Sequence, residues 1–186
     1  MRITAFVATS IDGYIADQNG NIDWLERENQ RSQAIIPQEE YGYFALLQQV
    51  DCIVMGRKSF DFVATFDPWP YPNNMVMVLS RNSLTLPPHL QSMSNVQTHC
   101  GDILSLQAEL EKRQYQHIYV DGGQLISWYL HLGILTDIII TQVPVILGKG
   151  IPLFDATILK DKAHHPQLQQ CRSYPSGFLQ MHYIMS

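Results

Sequence analysis

Residues 117–130 read HIYVDGGQLISWYL: a short run with apolar Ile118, Tyr119 and Val120, two adjacent glycines, then apolar residues at helical spacing. The same order recurs at 52–63, CIVMGRKSFDFV, where a short strand ends at Gly56 and a helix begins near Lys58 or Ser59. Other apolar runs stand at 2–9 (RITAFVAT), 75–80 (MVMVLS) and 136–147 (TDIIITQVPVIL). Residues 2–9 are apolar on both faces, which suits a central strand covered on both sides. Strands alternating with helices predict an α/β domain with a mostly parallel central sheet and helices on both faces. The alternating GFLQMHYIM at 177–185 predicts an antiparallel C-terminal edge.

The remaining helices follow from spacing and end signals. Residues 38–49, QEEYGYFALLQQ, carry Tyr41, Phe44, Ala45 and Leu47 at helical intervals after Pro37, which predicts a helix there. Residues 102–113, DILSLQAELEKR, predict another, with Asp102 as N-cap. QLISWYLHLG closes at Gly133. Residues 10–24 read as a Gly/Asp/Asn-rich loop, and 25–36 fit neither pattern. Without a repeat or linker, 186 residues make one domain over 1–186. The 46% hydrophobic and 16% charged content makes it globular. A net charge of −5 argues against nucleic acid as partner, and no apolar stretch is long enough to span a bilayer. Cys52, Cys100 and Cys171 are odd in number and form no CxxC, which predicts buried, reduced thiols and a cytoplasmic setting.

Three strand ends carry small or basic residues: Gly56-Arg57-Lys58-Ser59, Ser80-Arg81 and Gly122-Gly123. In an open α/β sheet, ligands bind outside the carboxyl ends of the strands. Helix N-termini there offer free N–H groups to phosphate, and arginines grip phosphate in bidentate fashion. A strand-GG-helix unit is also an ordinary tight turn, and Arg57 and Arg81 are equally consistent with solvated surface charge. Neither GxGxxG nor the P-loop pattern is present.

In the order SIDG, DW, VMGRKSF, VLSRN, VDGG and PVILGKGIPLF, the chain resembles the dihydrofolate reductase superfamily. It is more narrowly similar to free-standing proteins related to the reductase (C-terminal) domain of the riboflavin-biosynthesis deaminase-reductase. The resemblance covers about residues 2–184. It implies a dihydrofolate-reductase-like fold and an NADPH-dependent reductase acting on a small pteridine- or pyrimidine-like molecule. It implies that Gly56, Arg57, Lys58 and Ser59 meet the cofactor's phosphates, and that Leu79, Ser80 and Arg81 meet its adenosine end. Asp121, Gly122, Gly123, Gln124 and Leu125 would follow the diphosphate, with an unusual peptide geometry between the glycines. Val7 and Ala8 would offer backbone to the nicotinamide, and the loop from Ile15 to Ile22 would close over it. The family also implies a homodimer. The chain departs from both relatives: it lacks the His- and Arg-bearing helix of the riboflavin enzyme and the Leu-Pro-Trp of the folate enzyme's loop, reading NIDWL instead.

Reduction of a C=N bond needs a proton as well as a hydride. By the resemblance, Glu40 is the acid, Phe44 and Leu47 share its helix face toward substrate, and Thr141 supports it. Glu39 and Glu40 equally suit a plain helix N-terminus, and Thr141 a plain strand position. Trp24 lines the pocket or only anchors its loop. Asp12 fixes the loop. His164-His165 lack a third ligand at useful spacing, so no metal is expected. A non-catalytic NADP(H)-binding protein is the second reading.

Overall fold

A computed structural model describes residues 1–160 and 163–185. The elements in chain order are β1 (Arg2–Thr9), β2 (Tyr14–Ala16), α1 (Asp23–Ile35), α2 (Tyr43–Leu47), β3 (Cys52–Gly56), α3 (Arg57–Val63), β4 (Met75–Ser80) and β5 (Val96–Cys100). They continue with α4 (Ile103–Lys112), β6 (His117–Asp121), α5 (Gly123–His131), β7 (Asp137–Gln142), β8 (Ile151–Pro152), α6 (Ala156–Leu159), β9 (Gln167–Ser173) and β10 (Leu179–Ile184). Eight strands form one sheet in the order β5-β4-β3-β6-β1-β7-β10-β9, and β2 pairs with β8 apart from it. Pairing is parallel from β5 to β7, and β10 runs antiparallel to both β7 and β9.

The period of two along each strand sends alternate side chains to opposite faces. Thus Cys52 and Val54 join Ile3, Ile118 and Val120 beneath α4 and α5, with Leu106, Leu110, Ile126 and Tyr129 fully buried. Ile53 and Met55 join Val76, Val78 and Tyr119 on the other face, beneath Leu46, Phe60, Val63 and Trp69. Each fully buried aliphatic side chain contributes about 1.5–3 kcal/mol, so the two faces together anchor β3 and β6 firmly. A third cluster of Trp24, Val143, Tyr174 and Phe178 ties α1 to the C-terminal strands. Asp102 caps α4 as its sequence predicts, accepting from Ser105 N at 2.8 Å while its own N–H donates to Ser105 Oγ.

The structure departs from the sequence reading at several places. The helix expected over 38–49 is only α2. Gln38 (φ 63°), Tyr41 (φ 53°) and Gly42 (φ 80°) all lie in the left-handed region, which no right-handed helix accommodates. The stretch 25–35 belongs to α1, with Ile36 just past its end, and the strands β5 and β9 carry too little apolar patterning to stand out. The strand at 136–147 ends at Gln142, two residues before Pro144. Cys52 is buried, whereas Cys100 and Cys171 are exposed and unpaired, so packing explains the first alone. Among the described residues no helix is long and apolar enough to cross a membrane.

Candidate functional site

The pairing of β1 with β6 stops at Ala5 and Val120, while β1 continues along β7 to Thr9. Beyond Ala5 the two strands part, and a cleft of about 2070 Å³ opens at the carboxyl ends of β1, β3, β4 and β6. That exceeds the volume of an ordinary small-ligand pocket, roughly 300–1,000 Å³, and leaves room for two molecules side by side.

One end of the cleft is built from helix starts. The head of α3 carries Gly56 as N-cap and that of α5 carries Gly122, and neither has a side-chain cap. Side-chain caps contribute about 0.5–2 kcal/mol, so both helices forgo what α4 has, and residues of both helix starts line the cleft. Gly122 sits at φ 97°, and a Cβ there would collide with Ser59 Oγ, so the two helix starts touch. Gly123 answers a different neighbour. Its Cβ would stand 2.9 Å from the Leu153 carbonyl, 3.3 Å from that of Pro152 and 2.8 Å from Ile15 Cδ1. A side chain at either glycine would therefore meet the protein itself, Ser59 at Gly122 and the Leu153 and Pro152 backbone at Gly123. The cis peptide among the described residues joins Asp67 to Pro68, so the bond between the glycines is trans.

Lys58 and Arg81 are exposed at this end. Arg57 is engaged by Asp61 at 2.7 Å, with both side chains half-exposed. A pair of that kind is worth under about 1 kcal/mol, so an incoming phosphate competes with it readily. Ser80 and Leu79 close the far side, with Gln124 and Leu125 along α5.

The other end is aromatic. Phe6, Val7, Ala8 and Ile15 line it, together with Tyr43, Phe44, Tyr71, Tyr119 and Asp121. The Tyr119 hydroxyl lies 3.0 Å from Asp121 Oδ1 and 3.2 Å from the Phe6 carbonyl, and Tyr43 and Tyr71 share a hydrogen bond of 2.8 Å. Burial pushes the Asp121 carboxyl above its ordinary range, against the lowering effect of the Tyr119 and Gly122 hydrogen bonds. Burial likewise pushes the Tyr43 phenol up to about 12, and Tyr71 and Tyr119 upward as well. These tyrosines escaped the sequence reading. The available signal was Tyr119 inside the buried run HIYVD, where a hydroxyl needs a partner.

Glu40 and Thr141 also reach the cleft, but not as the helix reading placed them. Glu40 is exposed in the turn before α2, so it does not share a helix face with Phe44. Thr141 Oγ1 accepts from Gln180 Nε2 at 2.9 Å, and the same amide donates to the Tyr41 carbonyl at 2.8 Å. Gln180 thus links Thr141 to the turn that bears Glu40. Leu47 and Trp24 line no part of the cleft: Leu47 packs beneath β3, and Trp24 anchors α1 against Tyr174 and Phe178. Their apolar bulk is spent on the core. Asp12 pins its loop by accepting from the amides of Leu147 (3.1 Å) and Gly148 (2.7 Å). Among the described residues no three His, Cys, Asp or Glu side chains are grouped to hold a metal ion.

Comparison with known proteins agrees with this architecture. The family model described as the RibD C-terminal domain matches residues 1–179. The uncharacterized protein YwjB of Bacillus subtilis (strain 168) is 26% identical over 185 residues, covering 98% of this chain and 97% of the relative. A Shewanella sp. PV-4 structure with a provisional riboflavin-biosynthesis name superposes with a TM-score of 0.88 at 30% identity, covering 100% of this chain and 99% of that one. The Thermotoga maritima deaminase/5-amino-6-(5-phosphoribosylamino)uracil reductase shares the fold, with a TM-score of 0.72 at 13% identity over 56% of its chain. With its eight-stranded sheet, its paired helix starts and a family match over nearly its whole length, the chain belongs to the RibD C-terminal domain family.

Proposed function

We propose that the protein is an NADPH-dependent reductase that transfers hydride to a small pteridine- or pyrimidine-like molecule. One observation carries the reading: a single cleft joins two uncapped helix starts to an aromatic chamber with a partly buried acid. The first end suits a diphosphate and the second a pair of stacked rings. Family membership supports the reductase class, and the proposal adds the cofactor and the substrate class.

In this reading the free N–H groups of α3 and α5 hold the diphosphate, with Lys58 beside them. Arg81 faces the 2′-phosphate. The walls of β1 and α2, with Phe6, Tyr43 and Phe44, hold the reacting rings face to face and exclude water. Bound NADPH supplies the hydride; the protein positions the acceptor and furnishes the proton.

The test is a fluorescence titration with NADPH and NADH. Wild type should prefer NADPH. Arg81→Ala should lose that preference by about tenfold or more, the usual range for one charge-assisted contact to phosphate, with NADH binding little changed. Equal loss for both cofactors removes Arg81 from the 2′-phosphate. Absence of binding by either cofactor refutes the reading.

A further inference from the structure

We infer that Asp121, switched by the hydroxyl of Tyr119, holds the proton taken up by the reduced substrate. This rests on the reductase reading and goes beyond it by naming the acid.

Placement comes first. In the sheet, Asp121 stands beside Met55 of β3, next to Gly56, and one residue past the last β1–β6 pair. It therefore sits between the helix starts and the aromatic chamber, where a hydride donor and its acceptor would meet. Glu40 is exposed at the rim, open to water.

The Tyr119 hydroxyl gives the mechanism. It has one proton and two acceptors in reach, Asp121 Oδ1 at 3.0 Å and the Phe6 carbonyl at 3.2 Å. When Asp121 is ionised, Tyr119 donates to the carboxylate. When Asp121 is protonated, the carboxyl O–H donates to the Tyr119 oxygen, and the phenol turns its proton to Phe6. Both states of the acid are satisfied without moving a side chain. A partly buried carboxyl that is hydrogen-bonded in both its protonated and its ionised state is suited to release a proton.

The groups facing Asp121 do not discharge it. Tyr119 comes from β6, Tyr43 from α2 and Tyr71 from the segment before β4. All three are neutral phenols near neutral pH, since burial raises each of them. At the head of α3, Arg57 is paired with Asp61 and Lys58 is exposed to solvent. Burial accordingly keeps the Asp121 proton on to a higher pH than an ordinary carboxyl.

The balance is simple. The hydride forms a C–H bond at the carbon of the C=N or C=O group, and the π pair moves to the heteroatom. That atom takes the Asp121 proton, and NADPH leaves as NADP⁺. The carboxylate then accepts from Tyr119 until solvent returns a proton.

The test has two arms. In the first, carboxyl carbon-13 NMR follows Asp121 through a pH titration, with Asp121→Asn identifying its resonance and needing no substrate. Its midpoint should lie above those of the exposed aspartates. Tyr119→Phe should move it further up, because the carboxylate loses a donor. An Asp121 that titrates with the exposed aspartates overturns the inference. So does a midpoint that ignores Tyr119→Phe. In the second arm, Asp121→Asn is compared with wild type at saturating NADPH. It should lose hydride transfer by about 10²–10⁴-fold on the pteridine or pyrimidine that wild type reduces. Tyr119→Phe should lose less and shift the pH profile. Unchanged turnover in Asp121→Asn overturns the inference while the reductase reading stands. Failure of wild type to bind NADPH sinks the reductase reading instead, and with it this role for Asp121.

Discussion

Gly123→Ala tests whether protein or ligand keeps the glycine pair bare. The substitution puts a methyl group 2.9 Å from the Leu153 carbonyl and 3.3 Å from that of Pro152. Both carbonyls belong to the backbone in and just after β8, so they cannot rotate away as a side chain could. Ile15 Cδ1, at 2.8 Å, is the end of a side chain and yields more easily. Overpacking of this kind costs about 1–3 kcal/mol. Against it stands the gain from replacing glycine at the start of α5, about 0.5–1 kcal/mol. The apo variant should therefore lose about 1–2 kcal/mol in urea unfolding, with the slope unchanged. NADPH should bind it more weakly only so far as β8 shifts. An apo protein as stable as wild type, or more stable, with NADPH binding alone lost, would refute the packing account and restore the diphosphate to that space.

Other outcomes are as definite. Asp137 is 1% exposed; burial opposes its ionisation, but hydrogen bonds from Arg2, Thr136, His182 and Thr4 outweigh it and hold its carboxyl at about 2. Its folded pKa is depressed from 3.8, so about 2 kcal/mol of stability is present above pH 4 and is lost as pH falls toward 2. Asp137→Asn should be destabilised at neutral pH and flatten that acid limb in urea titrations. Glu40→Gln should match Glu39→Gln in turnover if Asp121 is the acid; a selective loss in Glu40→Gln would return the role to Glu40. Light scattering at micromolar concentration should give a homodimer, with the exposed edge strand β9 as its contact surface, and a monomer would count against it.

The reach of the sequence reading followed local chemistry. Runs such as CIVMG and HIYVD are short, apolar and followed by glycine, so β3 and β6 and the helices after them were readable, as was the capped α4. The helix starts at one end of the cleft were readable for the same reason, since strand ends and helix starts are local events. The aromatic end was not. Tyr43, Tyr71 and Tyr119 are far apart in the chain and meet only through the fold. The stretch 38–49 has helical spacing, yet Tyr41 and Gly42 take left-handed backbone. There Gln180, from the far end of the chain, donates to the Tyr41 carbonyl. Leu47 was placed by periodicity and analogy, whereas packing under β3 decides where it goes, and packing against Phe178 decides for Trp24 between the pocket and the anchor. The glycine pair was noticed for the right reason, close approach, and the protein atoms that approach belong to Ser59 at Gly122 and to Ile15, Pro152 and Leu153 at Gly123.

The most direct test is hydride transfer itself. Stereospecifically deuterated NADPH is mixed with a panel of pteridines, pyrimidines and ribosylaminopyrimidines, and reduced nicotinamide absorbance is followed while products are analysed by mass. The account predicts oxidation with at least one panel member, one deuterium carried to carbon in the product, and no deuterium released to water. NADPH that binds tightly yet is oxidised by none of them would contradict the reductase reading and leave a nucleotide-binding protein without catalysis.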